Sequence, residues 1–404
     1  MLRTFRGGLL IGLAVAIAVA AGAITYERYD TKTLKRTIRR GEVLCGVNKG
    51  LPGFSIPDDK GDWTGFDVDF CRAVAAAIFD DPKKAKFLPL DASERFKELQ
   101  SRKVDILSRN STWSMSRETN YDLYFPAVAY YDGQGFMLPR SRNIDSALDL
   151  NNSKVCVQEG TTTLLNLADY FRANNMKYTE MKFPKLEEVL KAYESGKCDT
   201  FTADVSQLYA LRLNLTQPND HVILPDVISK EPLAPVVRQR DDDWMMLVKW
   251  TLYAMINAEE LGITSKNIDE ALKSKKPDVM RLVGTEGAYG EDLGLTKDWA
   301  ARIIRHVGNY GEVYERNVGE GSKLKIPRGL NSLWSNGGIS TRRRSGRRLA
   351  RPSLTAVVAR WTRATQDSET SMIDERPRRD WITRFAGDDM RGCALRAPGM
   401  TATQ

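Results

Sequence analysis

The sequence predicts an α/β protein with two lobes, each a mostly parallel sheet flanked by helices. Strand-like and helix-like segments alternate from residue 41 to 125, and the same alternation returns from 154 to 210. Repeated strand-helix-strand units are typical of parallel sheets with helices on their faces. Two extended stretches, 130–140 and 229–239, are similar in length and contain Gly or Pro. We expect them to form a two-stranded hinge through which the chain leaves the first lobe and returns.

The elements follow from the hydrophobic periodicity of each segment. The first run predicts, in order, strand "EVLCGV", a helix over 66–79, strand "AKFLPL", helix "SERFKELQS" and strand "VDILSRN". The second run predicts strand "KVCVQ", helix "TTLLNLADYFRANN", strand "YTEMKF", helix "KLEEVLKAYESG", strand "CDTFTA" and helix "VSQLYALRL". From residue 244 on, "WMMLVKWTLYAMINAEELGI" predicts a long helix on the first lobe, and shorter helices are predicted at 267–283, 296–308 and 327–334.

These assignments divide the chain into one discontinuous lobe and one continuous lobe. The predicted boundaries are a signal peptide at 1–23, lobe 1 at 33–133 and 236–339, lobe 2 at 140–230, hinge strands at 130–140 and 229–239, and a disordered or out-of-frame tail at 340–404.

The first residues have the pattern of an export signal. Arg3 and Arg6 precede an uncharged apolar run, and small residues at 18–23 suit cleavage by signal peptidase. A membrane anchor that is kept is the alternative, since about 20 apolar residues can span a bilayer. In both cases we expect the rest of the chain outside the cytoplasm.

The net charge of +8 does not indicate a nucleic-acid-binding protein. Residues 340–404 hold 14 Arg, no Lys and 7 acidic residues, and so contribute nearly all of the excess. The remaining body of the protein is close to neutral, so the basic pI does not describe what the folded part binds. We expect no nucleic-acid partner.

Five cysteines in an exported chain favour disulfides. Cys45 lies in a predicted strand and Cys71 on the inner face of the following helix, whereas Cys156 and Cys198 lie in strands that a parallel sheet can place side by side. We predict the pairs 45–71 and 156–198. Buried free thiols are the alternative, and Cys393 is left unpaired.

Polar groups are concentrated where predicted strands run into helices, and in open parallel sheets that edge binds ligands. Arg117 follows a loop rich in hydroxyls, and a guanidinium matches the two oxygens of a carboxylate. Thr161 and Thr162 begin a helix, where free N–H groups favour an anion. Asp204, at the opening of another helix, is suited to an ammonium group. The alternatives are a surface ion pair for Arg117 and a helix cap for Asp204.

A cation on one lobe and a carboxylate on the other describe a receptor for a zwitterion with both charges on one carbon, which is an α-amino acid. Phe54, in "LPGFS", is a candidate to cover an apolar face of that ligand, and Trp113 is either a second such residue or part of the core.

Several long motifs resemble one bacterial family. "VLCGVNKGLPGFSIPDDKGDWTGFDVDFC", "LSRNSTWSMSR", "VCVQEGTTTLLNLADYFR" and "VKWTLYAMINAEELGI" occur in the order found in the periplasmic receptors for L-amino acids of ABC transporters, the polar amino-acid solute-binding family. The resemblance covers about 33–339. It implies a two-lobed periplasmic binding protein (Venus flytrap) that closes around its ligand and is not an enzyme.

The resemblance also implies the ligand contacts. Arg117 matches the arginine that holds the α-carboxylate, and Asp204 matches the acidic residue that holds the α-ammonium group. The full set of matching positions is Phe54, Asn110, Thr112, Arg117, Gly160, Thr161, Thr162 and Asp204. The implied partners are an L-amino acid and an inner-membrane permease with its ATPase subunit. We expect a monomer, with no cofactor and no metal.

The tail departs from this family. The resemblance implies an ending close to Gln-Tyr-Ala-Pro-Pro-Ile-Arg after "LNSLWSNGGI", and GC-rich codons for residues 340–345 encode Tyr-Ala-Pro-Pro-Ile in a neighbouring frame. Our hypothesis is an out-of-frame translation of residues 340–404, and a genuine basic extension is the alternative.

Two other functions are compatible with such a fold: an enzyme resembling cyclohexadienyl dehydratase, and an amino-acid sensor domain. The chain has only two histidines, His221 and His306, and both lie outside the predicted cleft loops. A Ser-His-Asp or histidine-rich metal site is therefore not expected. No second membrane span or signalling helix supports the sensor.

Overall fold

The computed structural model describes residues 32–341. The predicted signal peptide, Cys393 and all but the first two residues of the predicted tail lie outside this range. Within it no helix is long and apolar enough to cross a membrane.

The described chain forms two large sheets and one two-stranded sheet, and the first large sheet is built from both ends of the described chain. Its strands are β1 (Val43–Asn48), β4 (Ala85–Leu90), β5 (Ile106–Thr112), β6 (Leu123–Tyr124), β7 (Tyr130–Asp132) and β13 (Glu231–Arg238). The order is β4-β1-β5-β13-β6, with β7 also paired to β13. Strands β1, β4 and β5 are parallel, whereas β13 is antiparallel to its neighbours because it is the returning strand.

The helices of the first lobe come from both halves of the chain. They are α1 (Thr33–Arg40), α2 (Phe66–Phe79), α3 (Arg95–Gln100), α4 (Met115–Tyr121), α8 (Asp242–Glu260), α9 (Ile268–Ala271), α10 (Pro277–Val283), α11 (Tyr289–Asp292), α12 (Trp299–His306) and α13 (Tyr310–Asn317), and a small hairpin pairs β2 (Ile56–Pro57) with β3 (Trp63–Thr64). Helix α2 is alanine-rich and buries most of its length, because α8, α12 and α13 pack against it. The predicted helix over 327–334 is wrong: only short 3₁₀ turns, Gly329–Asn331 and Trp334–Asn336, form there.

The second lobe is one continuous segment. Its strands are β8 (Gln134–Pro139), β9 (Ser153–Gln158), β10 (Tyr178–Phe183), β11 (Thr200–Asp204) and β12 (His221–Ile223), and its helices are α5 (Thr163–Ala173), α6 (Leu186–Glu194) and α7 (Val205–Arg212). The order is β10-β9-β11-β8-β12, with β9, β10 and β11 parallel and β8 antiparallel.

The chain passes between the sheets twice, at neighbouring points. It leaves between Asp132 and Gln134 and returns just before Glu231, where β7 and β13 pair in antiparallel fashion with Glu231 opposite Asp132. Gly133 fits this narrow place because a Cβ there would lie 2.8 Å from the carbonyl oxygen of Ser229.

Each lobe contains one disulfide. Cys45 of β1 is joined to Cys71 of α2, with Cα atoms 6.3 Å apart, and Cys156 of β9 is joined to Cys198 at the start of the β11 segment, with Cα atoms 5.6 Å apart. Each bond ties a strand to the segment that packs beside it. The structure thus contains both predicted pairs.

Candidate functional site

A cavity lies where the parallel strands of the two sheets end. The last residues of β1, β5, β9 and β11 all line it, and these are Asn48, Thr112, Gln158 and Asp204. The space is about 350 Å³, part of which is open to solvent. In each sheet the carboxyl ends of the parallel strands lie at one edge. The two edges border the same cleft, so both lobes contribute to it.

The first lobe supplies a cationic wall, which we define as Arg95, Arg109 and Arg117. Arg95 begins α3, Arg109 lies on β5 and Arg117 lies on α4. All three side chains are at least nine-tenths buried. Among the described residues none of them forms an ion pair, so this wall carries three charges that face the cavity.

Arg117 is held in place by its own loop. Its Nη1 donates to the carbonyl oxygen of Thr112 at 2.7 Å, and its guanidinium lies 5.4 Å from the ring centroid of Phe96. Burial lowers the pKa of the Arg117 guanidinium, while Asp204 and Glu231 oppose that shift. Arg117 is therefore a cavity residue, and the alternative of a surface ion pair is wrong.

Asp204 faces Arg117 from the second lobe. It occupies the N-cap position of α7, but its side chain accepts no hydrogen bond from that helix or from any other described residue. It is 7% exposed, and its burial raises the pKa of its carboxyl well above the usual range, an effect that Asp132 and Glu231 increase. A buried carboxylate without a donor is costly.

Asp132 takes over the capping role that sequence analysis allowed for Asp204. Its carboxylate accepts from the backbone N–H of Ser206 at 3.3 Å and from that of Gly133 at 2.9 Å. The bond from Ser206 satisfies one of the free N–H groups in the first turn of α7. The Asp204 carboxylate is thus left for the cavity, and the helix-cap alternative is wrong.

Glu231, the first residue of the returning strand, connects both lobes behind the cavity. Its Oε2 accepts from the hydroxyls of Thr112 at 2.5 Å and Thr162 at 2.9 Å. Its Oε1 accepts from Asn166 Nδ2 at 2.7 Å and Ser229 Oγ at 2.6 Å. Thr112 belongs to the first lobe and Thr162 to the second, so one carboxylate holds the two lobes together.

This arrangement fixes the direction of two hydroxyl groups. A hydroxyl has one proton to donate, and a carboxylate can only accept. Since Thr112 and Thr162 donate to Glu231, their hydroxyl oxygens offer the cavity lone pairs only. At these two positions the hydroxyl oxygens therefore suit the ammonium end of a ligand.

Gly160 and Asn110 bring the two lobes close beside the cavity, whereas Thr161 bonds within the second lobe. The Gly160 carbonyl oxygen accepts from Arg95 Nη1 at 3.4 Å, and a Cβ on Gly160, whose φ is +73°, would lie 3.2 Å from the backbone of Ser93. Asn110 Nδ2 donates to Gln207 Oε1 of the second lobe at 3.3 Å. Thr161 donates its hydroxyl proton to the Gln158 carbonyl oxygen at 2.8 Å. The contacts of Gly160 with Arg95 and of Asn110 with Gln207 describe a closed arrangement of the lobes.

Helix α5 begins at the cavity and offers backbone donors there. Thr161, Thr162 and Thr163 all line the cavity, and Thr162 occupies the N-cap position without capping the helix by its side chain. The first N–H groups of a helix have no intrahelical acceptor, and the helix dipole adds positive potential. This end of α5 therefore suits an anionic group.

The prediction for Phe54 is wrong. Its ring is 1% exposed and packs edge-on against Phe66 and Tyr130, at 6.3 and 5.6 Å between centroids, and it is not part of the cavity lining. The cause is local: Gly53 has a φ of +78°, and a bridge between Leu51 and Ser55 turns the loop inward. Trp113 is also absent from the lining; it is 39% exposed and stacks on Phe125.

Several residues of the site were not singled out from the sequence, among them Arg95, Arg109, Gln207 and Glu231. Arg95 begins α3 and Gln207 lies in the first turn of α7; both follow the carboxyl end of a strand, so strand-end reasoning applied to every loop would have found them. Arg109 lies within the polar motif itself. Glu231 carried no local signal, because its role depends on the pairing of β7 with β13.

Among residues 32–341 no group of three or more His, Cys, Asp or Glu side chains is placed to hold a metal ion. The cavity instead combines guanidinium groups, one free carboxylate, hydroxyl oxygens and the start of a helix. This set binds charged polar solutes by ion pairing and hydrogen bonding.

Comparison with known proteins gives a consistent family. The family described as bacterial extracellular solute-binding proteins, family 3, matches residues 43–269. The chain is 54% identical over 329 residues to the general L-amino acid-binding periplasmic protein AapJ of Rhizobium johnstonii, a match that covers 81% of this chain and 96% of that protein.

Two further matches span most of their proteins. The chain is 47% identical over 330 residues to the glutamate/glutamine/aspartate/asparagine-binding protein BztA of Rhodobacter capsulatus, covering 81% of this chain and 95% of that protein. A solved structure of a periplasmic binding protein of an ABC transporter from Brucella ovis, with glutathione bound, is 56% identical, with a TM-score of 0.76 and coverage of 76% of this chain and 98% of that chain.

Proposed function

Because the chain belongs to family 3 of the bacterial extracellular solute-binding proteins, we propose that it captures L-amino acids outside the cytoplasm and delivers them to an ABC transporter. The similar rhizobial protein is named as periplasmic, which supports the same compartment here. Export through a signal peptide at residues 1–23 and handover to an inner-membrane permease with an ATPase subunit are part of the proposal. That the receptor acts as a monomer stays a prediction.

The observation that carries the proposal is the pairing of opposite, uncompensated charges across one cavity. Arg117 on the first lobe has no ion pair among the described residues, and Asp204 on the second accepts no hydrogen bond there. A ligand with a carboxylate and an ammonium group on one carbon satisfies both at once. Buried charges favour such a partner because leaving them unpaired costs several kcal/mol.

We assign the contacts by the chemistry of each group. Arg117 and the N–H groups at the start of α5, near Gly160 and Thr161, receive the α-carboxylate. Asp204 receives the α-ammonium group, together with the lone pairs of the Thr112 and Thr162 hydroxyls. Asn110 bridges the lobes beside this pair of sites.

Capture couples to lobe closure. Contacts to a ligand from both walls favour the closed arrangement over the open one, and the two crossings near 130–140 and 229–239 are where we expect the hinge to bend. The similar proteins are named as binding proteins and not as enzymes, which leaves the dehydratase alternative without support.

Calorimetric titration with the twenty L-amino acids, and with glutathione because the Brucella ovis protein was solved with it, tests the proposal. We expect micromolar or tighter binding of several amino acids. Burial in the closed arrangement raises the pKa of the Asp204 carboxyl, and an ammonium group beside it lowers that pKa again, so we expect binding to release a proton. Affinity should then fall as pH is lowered, by up to about tenfold per pH unit.

The variant Asp204→Asn separates this mechanism from general charge effects. It should weaken binding and remove the proton release, which is measured as the dependence of the binding heat on the ionisation enthalpy of the buffer. The exposed Asp59→Asn serves as the matched control. The absence of binding for every amino acid, at any pH, contradicts the proposed function.

A further inference from the structure

The cationic wall carries more positive charge than an α-amino acid uses. Arg95, Arg109 and Arg117 all line the cavity, whereas Asp204 is the single acidic residue among those that line it. A zwitterion brings one carboxylate and one ammonium group. If Arg117 holds that carboxylate and Asp204 that ammonium, two guanidinium groups remain.

These two guanidinium groups have donors to spare. Arg109 donates from Nε to the Leu90 carbonyl oxygen at 3.0 Å, and its two terminal nitrogens have no hydrogen-bond partner among residues 32–341. Arg95 donates from Nε to Ser111 Oγ at 3.2 Å and from Nη1 to backbone carbonyls, which leaves Nη2 without a partner in the same range. A guanidinium presents five N–H groups in a planar fork, so each can still bind an oxyanion.

Arg95 and Arg117 both lie against the Phe96 ring, and the three arginines repel one another. The guanidinium carbon of Arg95 lies 4.4 Å from the ring centroid of Phe96, and that of Arg117 lies 5.4 Å from the same centroid. Burial lowers the pKa of Arg95 well below its usual range, and repulsion from Arg109 and Arg117 adds to the shift. Like charges held together in a buried wall repel, and an added anion relieves that repulsion.

Arg95 and Arg109 differ in the carboxylates that lie near them. Asp67 and Asp91 attract Arg109 from within the first lobe, although neither forms an ion pair with it among the described residues. Among residues 32–341 the carboxylate that attracts Arg95 is Asp204, across the cavity. Arg95 is therefore the arginine with the least compensation, and it also contacts the second lobe through Gly160.

We propose that the preferred ligand carries a second carboxylate, which Arg95 and Arg109 bind while Arg117 holds the α-carboxylate. This inference rests on the proposed function and narrows it to acidic amino acids or γ-glutamyl peptides such as glutathione. The two sources share one chemistry, an α-amino acid head with a further carboxylate at the end of its side chain. They differ in the distance between the two carboxylates.

The test compares ligand pairs that differ only in that charge. Calorimetry gives the dissociation constants of glutamate against glutamine, aspartate against asparagine, and glutathione against its monoethyl ester, in which the glycine carboxylate is blocked. We expect at least one acid to bind tenfold or more tightly than its neutral partner. Whichever pair has the largest ratio identifies the source.

The variants Arg95→Gln and Arg109→Gln locate the second carboxylate. Each should reduce the acid-to-neutral ratio toward one, whereas the exposed Arg172→Gln, on the outer side of α5, should leave the ratio as it is. Circular dichroism and thermal melting check that each variant is folded. Because two variants are made, the test still gives a result if one of them does not fold.

Two results overturn the inference. One is a wild-type ratio below tenfold for all three pairs, and the other is a ratio that survives in both variants. Neither result contradicts the proposed function as long as neutral amino acids bind. Failure of every ligand, acidic and neutral, overturns the proposed function instead, so the two failures are distinct.

Discussion

The two walls of the cavity are built on opposite principles. The first lobe holds its arginines in place with backbone carbonyls, as Arg117 is held by Thr112 and Arg109 by Leu90. The second lobe leaves the Asp204 carboxylate without a hydrogen bond, since Asp132 caps the helix in its place. The charges are thus separated by lobe, one sign on each wall.

We expect this separation to couple lobe closure to ligand recognition. In the proposed mechanism, a ligand bound to the cationic wall alone leaves its ammonium group in water and gains the Asp204 contact only when the second lobe closes. The guanidinium groups are held in place by backbone carbonyls and favour a planar anion such as a carboxylate. The Asp204 carboxylate has no hydrogen-bond donor among the described residues and is left for the cationic group of a ligand. In the proposed mechanism the arginines of the first lobe and the start of α5 in the second lobe both hold anionic groups, whereas the carboxylate that meets the ammonium group is Asp204 of the second lobe.

Removing the Arg117 guanidinium from the cationic wall should weaken ligand binding more than any other change. Arg117→Ala leaves a bound α-carboxylate without its fork and should weaken amino-acid binding by about 2 to 5 kcal/mol. Titration calorimetry measures the change, with the exposed Arg172→Ala as the control for lost charge. An unchanged affinity in Arg117→Ala contradicts the contrast between the walls, because the α-carboxylate is then held elsewhere.

Cutting the link between the walls should have a smaller effect. Glu231→Ala leaves two threonine hydroxyls and the Asn166 amide without their acceptor, each a donor that now lacks a partner in the closed form. We expect a loss of binding free energy of about 1 to 3 kcal/mol, expressed as faster ligand release with little change in the association rate. Stopped-flow fluorescence separates the two rates.

The conservative variant Glu231→Gln sharpens that test. It keeps one acceptor oxygen but turns an amide group toward donors, so its release rate should lie between those of wild type and Glu231→Ala. Thermal melting of both variants without ligand measures the loss of stability that a purely structural role would cause. Equal release rates in all three proteins mean that Glu231 does not couple the lobes.

The charge pair across the cleft was predictable from the sequence for a physical reason. Arg117 follows β5 of the first sheet and Asp204 ends β11 of the second, and in each sheet the parallel strands bring their carboxyl ends to one edge. Arg95 follows the same rule but begins an amphipathic helix, where an arginine usually faces water. Its burial depends on how the second lobe covers it, which local sequence does not encode.

Glu231 and Phe54 were beyond the reach of sequence analysis for different reasons. The role of Glu231 arises from the antiparallel return of β13 beside β7, a pairing set by the whole chain path. The direction of the Phe54 ring depends on the left-handed backbone at Gly53, which turns the side chain into the core. In both cases long-range topology or a single backbone angle decides what the side chain contacts.

The smallest expected effect concerns Asp67, a buried carboxyl group next to Arg109 of the cationic wall. Asp67 is buried beside Arg109; its Oδ1 accepts from Ser108 Oγ at 3.3 Å and its Oδ2 has no partner among residues 32–341. Burial raises the pKa of the Asp67 carboxyl to about 7. The folded state then holds this proton more tightly than the unfolded state, so the stabilisation that the proton provides is lost as pH rises through 7.

Asp67→Asn should remove that part of the pH dependence. Between pH 6 and pH 8 the wild-type protein should lose about 1 kcal/mol more unfolding free energy than the variant, because the amide cannot ionise. Burial also raises the pKa of Asp132, to about 6, and that of Asp204, so the wild-type curve alone does not isolate Asp67, whereas the difference between the two proteins does. Urea denaturation at both pH values measures this difference, with the exposed Asp59→Asn as control. If the unfolding free energies of the two proteins change with pH in parallel, Asp67 is ionised across the range. Arg109 then has a permanent counter-charge, and the two walls differ less in charge than their lining residues indicate.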